Sequence, residues 1–219
     1  MIRFYKKQLL FLFAVFTFTF AIAQAPQGYY SSAQGLYGTQ LQQELHDIID
    51  GHTVLSYDYL WTVVEDTDPR PGNSNLVWDM YSDNPSGTPP YTFTFGVDQC
   101  GNYSGEGSCY NREHSWPKSW FDDASPMYTD LVLVVPTDGY VNGMRGNYPY
   151  GEVDNSTWTS QNGSKLGYTN ATWTSDKVFE PIDEYKGDFA RIYFYMSVRY
   201  YNEDASFVTN DMINGSQIK

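Results

Sequence analysis

The chain is 219 residues long, with 13 Lys and Arg against 26 Asp and Glu and a formal net charge of −13. A surface that binds phosphates needs local cations, so this balance excludes a uniformly basic binder and leaves, at most, a basic cleft on an acidic body. The length argues against more than one ordinary domain and suffices for an adequate core.

The chain opens with a targeting pattern. Arg3, Lys6 and Lys7 form a positive region, Leu9 to Ile22 an apolar one, and Ala21-Ile22-Ala23 a small-x-small cleavage site. Residues 1–23 are therefore expected to be a signal peptide, and residues 24–219 one mature domain. The apolar run is shorter than the roughly 20 residues of a spanning helix, and no later stretch is apolar enough to span. The mature form is expected to be secreted or periplasmic, off the membrane and monomeric. Removing the leader takes away three cations and leaves 10 against 26, a net charge of −16. Nine of those ten lie at or after Arg112.

Leu41, Leu45, Ile48 and Ile49 share one helical face, which predicts a helix from a Thr39 cap to Asp50, stopped by Gly51. His46 reads as a solvated helix residue and His52 as a loop or packing residue. Ser56 is expected to cap a short helix through Val64. Asp66 to Asn75 reads as a turn-rich loop, and Leu76 to Tyr81 and Tyr91 to Phe95 as strands. Cys100 and Cys109 close a short glycine-rich loop. In an exported protein they are expected to form a disulfide that staples the entry to the next segment. Leu131 to Val135 is an apolar run of strand length, expected to be buried on both faces and ended by Pro136. Thr137 or Asp138 then caps a helix carrying Val141, Asn142, Met144 and Arg145, which Asn147-Tyr-Pro149 terminates. Asn162-Gly163, between Thr157 to Ser160 and Lys165 to Tyr168, predicts a hairpin. Val178 to Ile182 reads as extended. Asp183 is expected to cap a last helix to about Tyr201, with Phe189, Ile192, Tyr193, Met196 and Tyr200 on its core face.

The chemistry is concentrated between Cys109 and Trp120. His114 can take a proton near neutral pH, Glu113 is a hard oxygen donor suited to Mg²⁺ or Ca²⁺, and Arg112 and Lys118 can hold an anion. That combination suits metal-assisted hydrolysis of a phosphate ester; charges on a surface turn are the competing reading. Adjacent side chains on a regular strand point to opposite faces. Glu113 and His114 can therefore serve one site only on a bent strand end or loop.

Three longer segments carry a family resemblance. Asn111-Arg-Glu-His-Ser-Trp-Pro-Lys-Ser-Trp-Phe121 resembles the active-site segment of the bacterial endonuclease I family. Pro136-Thr-Asp-Gly-Tyr-Val-Asn-Gly-Met-Arg-Gly-Asn-Tyr-Pro-Tyr-Gly-Glu-Val153 resembles its metal-binding helix, and Phe179-Glu-Pro-Ile-Asp-Glu-Tyr-Lys-Gly-Asp-Phe-Ala-Arg191 its third signature. The resemblance covers roughly Leu36 to Tyr201. It implies an α+β fold with a ββα-metal, or His-Me finger, core, additional helices and short antiparallel strands.

By the same resemblance His114 is the general base, and Glu113 and Asn142 are the protein ligands of one Mg²⁺ or another divalent cation. Arg145, Arg112 and Lys118 are expected at phosphate, with structural pairing as the other reading of Arg145. The implied substrate is DNA, and RNA beside it, cut to 5′-phosphate products with little regard to sequence. Two features depart from the pattern. The family usually has a polar residue, often His, where Val132 or Leu133 stands. It also continues past the Asp183 helix, so residues 24–219 are expected to be incomplete at the C-terminus. A nuclease-like domain without catalysis and an aromatic extracellular binding module are the alternatives.

Overall fold

The computed structural model describes residues 25–214 and 217–218; the expected signal peptide lies outside the described residues. The elements are α1 (Gly38–Ile49), α2 (Leu60–Thr67), β1 (Pro69–Arg70), β2 (Asn73–Val77), β3 (Tyr110–His114), β4 (Val134–Asp138), α3 (Gly139–Arg145), β5 (Asn155–Thr159), β6 (Lys165–Tyr168), β7 (Lys177–Glu180) and α4 (Asp183–Arg199). These strands pair antiparallel as β1–β2, β3–β4 and β5–β6–β7. The architecture is thus α+β with short sheets, as expected. No described helix is long and apolar enough to cross a membrane.

The core gathers on α4. Phe189, Ile192, Tyr193 and Met196 are buried there, as their spacing implies, and Tyr200 is buried just past its end. They share one cluster with Trp116, Trp120 and Phe121 from the loop after β3, and with Leu133, Val134 and Val135. Asp183 and Glu184 occupy the first turn of α4, where the helix dipole favours anions, but neither caps it by a side-chain hydrogen bond. Thr39 is likewise inside α1 and not its cap. The expected solvated His46 is buried instead: its Nδ1 lies 2.9 Å from the Arg199 carbonyl and ties α1 to α4.

The β3–β4 pair corrects the expected strand. Leu131 to Leu133 form a turn, Val132 is 42% exposed, and the paired residues are Val134 to Asp138. Pro136 therefore sits inside β4 and does not end it. Gly139 N donates to the Cys109 carbonyl and Ser115 N to the Leu133 carbonyl. These bonds put Arg112 and Pro136 opposite one another at a non-hydrogen-bonded pair. The missing N–H of Pro136 thus leaves no gap in the ladder.

α3 follows without a linker. Asp138 caps it by accepting from Val141 N at 2.8 Å. Gly146, at φ +55°, ends it one residue before the expected stop. The Asn162-Gly163 hairpin forms between β5 and β6 as its turn chemistry predicts, with Ser160 N donating to Ser164 O at 2.8 Å. Two expected strands shrink. Leu76 to Tyr81 leaves the sheet after Val77, and Tyr91 to Phe95 contributes one bridge, Leu76 to Thr94. The loop expected at Asp66 to Asn75 instead contains the turn of the β1–β2 hairpin, and α2 starts at Leu60, four residues beyond Ser56.

Candidate active site

β3 carries three of the expected site residues, and regular pairing through His114 opposite Val134 divides them between its faces. The expected bent strand end is absent. Asn111 and Glu113 point toward α3, where Asn142 and Arg145 meet them. Arg112 and His114 point the other way, toward Tyr57, Trp61 and Tyr128. The Cys100–Cys109 disulfide is present at the entrance to β3, with a Cα–Cα separation of 5.7 Å.

The Glu113 carboxylate is 2% exposed. Its Oε1 accepts from Arg145 Nη1 at 2.6 Å and from Tyr81 Oη at 2.9 Å. Tyr81 Oη is in turn 2.6 Å from Tyr150 Oη. Both contacts fall on Oε1, and Oε2 carries no hydrogen bond among the described residues. Burial raises the Glu113 carboxyl above its usual range, opposed by the Arg145 guanidinium and the Tyr81 hydroxyl.

Arg145 is fully buried, and its donors reach the Tyr148, His114 and Ser115 carbonyls, Glu113 Oε1 and, at 3.5 Å, Tyr193 Oη. No donor is left to face a phosphate. Of the two readings of Arg145, the geometry supports structural pairing and corrects phosphate binding. Asn142 is half-buried one turn earlier. Its Nδ2 donates to Asn111 Oδ1 at 2.8 Å and lies 3.5 Å from the Arg112 carbonyl, and its Oδ1 carries no hydrogen bond among the described residues. One open carboxylate oxygen and one open amide oxygen, each held by bonds on its twin atom, fit a hard divalent cation that keeps several waters.

His114 is 6% exposed. Its Nε2 lies 3.0 Å from the Tyr128 carbonyl, which can only accept. Nε2 therefore carries the proton, and Nδ1 keeps its lone pair. Burial lowers the imidazole from its usual value to about 4, so it is neutral at pH 7. The Tyr128 carbonyl thus fixes the orientation and tautomer of the imidazole. Arg112 donates to the Tyr57 carbonyl and lies over the Tyr57 and Trp61 rings, at 3.5 and 4.3 Å from their centroids. Lys118 is exposed and paired with Asp123 at 2.6 Å.

Among the described residues, most of the cations available to a basic cleft are held in ion pairs. Arg70, Lys118, Arg145, Lys165, Lys186, Arg191 and Arg199 each pair with a carboxylate. Arg112 and Lys177 are the described cations without one. A second cluster, His46, Asp50 and Glu203, has metal-ligand chemistry. There Arg199 already contacts both carboxylates, Asp50 at 2.8 Å and Glu203 at 2.9 Å, and supplies the charge an ion would bring. Sequence reasoning missed Tyr81, Tyr150, Tyr57 and Tyr128, which come from separate loops with no periodic signal.

Comparison with known proteins adds family evidence. A family model described as Endonuclease I matches residues 37–219. Proteins named "Extracellular ribonuclease" from Bacillus amyloliquefaciens and Bacillus subtilis (strain 168) are 36% and 34% identical over 178 residues, which cover 80% of this chain and 54% of each relative. A protein named "Endonuclease-1" from Buchnera aphidicola subsp. Baizongia pistaciae (strain Bp) is 40% identical over 76 residues, 33% of this chain and 29% of that one. The chain spans about half the length of the two ribonucleases it matches. With the family model covering nearly all described residues, the chain belongs to the endonuclease I family.

Proposed function

We propose that this chain is a secreted, metal-dependent endonuclease that hydrolyses phosphodiester bonds without sequence specificity, acting on DNA and on RNA. One observation carries the reading. Among the described residues, three acceptor atoms of the β3–α3 unit, Glu113 Oε2, Asn142 Oδ1 and His114 Nδ1, carry no hydrogen bond while the groups that bear them are held firmly. Such pre-set acceptors suit a ββα-metal arrangement. The leader pattern and the extracellular relatives support export.

Glu113 Oε2 and Asn142 Oδ1 would hold one divalent cation, with Mg²⁺ favoured by the all-oxygen donors. When bound, the cation supplies Lewis-acid stabilisation of charge on the phosphate. His114 Nδ1 takes the proton of the attacking water. That water's oxygen bonds to phosphorus as the bond to the 3′ oxygen breaks, leaving a 5′ phosphate. Because Glu113 and His114 leave β3 on opposite faces, the substrate strand has to cross the His114 end of β3 to meet both. Arg112 stands on the His114 face and Lys118 just beyond it, and both can approach the phosphate.

The test is nicking of plasmid DNA and cleavage of RNA by the purified mature chain. Activity with Mg²⁺, its loss with chelator and its loss in His114→Ala are expected. Chelator-resistant activity, or full activity in His114→Ala, would overturn the reading. A second reading, a nuclease-like domain without hydrolysis, draws on one observation: Arg145 already neutralises Glu113. Absence of cleavage together with absence of Mn²⁺ binding by titration would favour it.

A further inference from the structure

Two features of the His114 face point past the reaction to the form of its substrate. The first is charge. A protein that grips duplex DNA neutralises many phosphates and pays for that grip with steep salt dependence. Here seven described cations are paired with carboxylates, and Arg112 and Lys177 are the two that are not. Lys118, four residues after His114, brings Asp123 with it.

The second feature is aromatic. The Tyr57 and Tyr128 centroids are 4.8 Å apart, and the His114 ring lies 5.1 Å from Tyr128 and 6.0 Å from Tyr57. The His114 plane is inclined 29° to Tyr128 and 19° to Tyr57. Both tyrosines are partly buried, with an edge left at the surface, and Arg112 lies against Tyr57. Rings and a guanidinium plane around a base form a stacking surface, and stacking needs nucleobases that are not already paired and stacked in a duplex.

Resting on the hydrolase reading above, we propose that the preferred substrate is single-stranded nucleic acid, held by stacking of an unpaired base on the Tyr57–Tyr128 surface and by few phosphate contacts. Recognition then comes from base faces and not from a run of phosphates. Duplex DNA presents no open base face, and the described residues offer its phosphates no matching row of unpaired cations.

The experiment compares one labelled oligonucleotide as a single strand, annealed to its complement, and with abasic spacers replacing the bases near the cut. All are cleaved at fixed Mg²⁺. The single strand is expected to give a kcat/KM at least about tenfold above the duplex and the abasic strand. With about two phosphate contacts, raising salt from 50 to 200 mM should lower kcat/KM by roughly tenfold or less, against about 10³–10⁵ for six to ten contacts. Tyr57→Leu is expected to raise KM by about fivefold or more, with Tyr57→Phe recovering most of it. Cleavage of the duplex or of the abasic strand as efficient as that of the single strand, or a thousandfold salt effect, would overturn the inference and leave the hydrolase standing. Cleavage of none of the three would overturn the hydrolase reading, and this one with it.

Discussion

On one side of β3 the Glu113 carboxylate is locked through Oε1 by Arg145 and Tyr81; on the other, His114 has one hydrogen bond and a surround of aromatic rings. Each face solves a different problem. A buried anion is tolerable only when paired and hydrogen-bonded, and Arg145 with Tyr81 does this for Glu113 while leaving Oε2 open. An imidazole can accept a proton at pH 7 only while it is neutral, and burial is the chief cause that keeps His114 so. One face positions a group by saturating half of it. The other sets a tautomer with a single carbonyl and keeps the second nitrogen bare.

The largest expected effect tests the His114 face. His114→Ala should lower kcat by about 10²–10⁴ with the fold retained, since general-base help is of that size. A loss under tenfold, with circular dichroism unchanged, would remove His114 from proton transfer.

The next tests the Glu113 face. Arg145→Met leaves a buried carboxylate without its cation and should cost about 3–5 kcal/mol in urea unfolding. Adding Glu113→Gln should restore much of that loss, because the unpaired charge is then gone. A cost below about 1 kcal/mol for Arg145→Met would mean that Glu113 is held protonated, the direction in which burial pushes it.

Acid separates the two faces further. His114 is lowered to about 4 from an unfolded value near 6.5, so the unfolded chain binds this proton first as pH falls. Its contribution is fully present above about pH 6.5 and is lost on descending toward pH 4, amounting to about 3 kcal/mol. Glu113, raised by burial, acts in the opposite sense. Stability against pH in wild type and His114→Phe isolates the first effect: the wild-type curve should fall more steeply between pH 6.5 and 4. In kcat/KM the acid limb should lie near 4 and not near 6.5. Parallel stability curves would show that the imidazole is not kept neutral by the fold.

The site was legible where it is linear and illegible where it is assembled. Glu113, His114 and Asn142 stand in long ordered segments, so a resemblance could carry them. Whether Arg145 pairs or binds phosphate could not be read from a charge on a seven-residue helix, because its five partners come from β3, the loop after it, the loop after α3, and α4. Tyr81 and Tyr128 come from loops whose aromatic residues have no periodicity to mark which ring points inward. In the fold, α4 and the Asn162-Gly163 hairpin followed from spacing and turn chemistry. The strand at Leu131 to Val135 slipped by three residues, because hydrophobicity cannot say where pairing begins. The Asp138 cap and the β3 register decide that.

The smallest effect sharpens the Glu113 face itself. Tyr81→Phe keeps the buried ring and removes only the hydroxyl that donates to Oε1. Arg145 Nη1 then holds the carboxylate alone, and a group fixed by one donor can rotate where one fixed by two cannot. If Oε2 is the cation-facing atom, that rotation should weaken Mn²⁺ or Mg²⁺ binding by about tenfold, the lower end of what outer-shell partners of a metal ligand contribute. Calorimetric titration of the variant measures this without reference to turnover. Tyr150→Phe should do less, because Tyr150 reaches the carboxylate only through Tyr81. Unchanged affinity in Tyr81→Phe would assign the orientation of Glu113 to Arg145 alone, and the Tyr81 hydroxyl would then be a satisfied core group with no bearing on the cation.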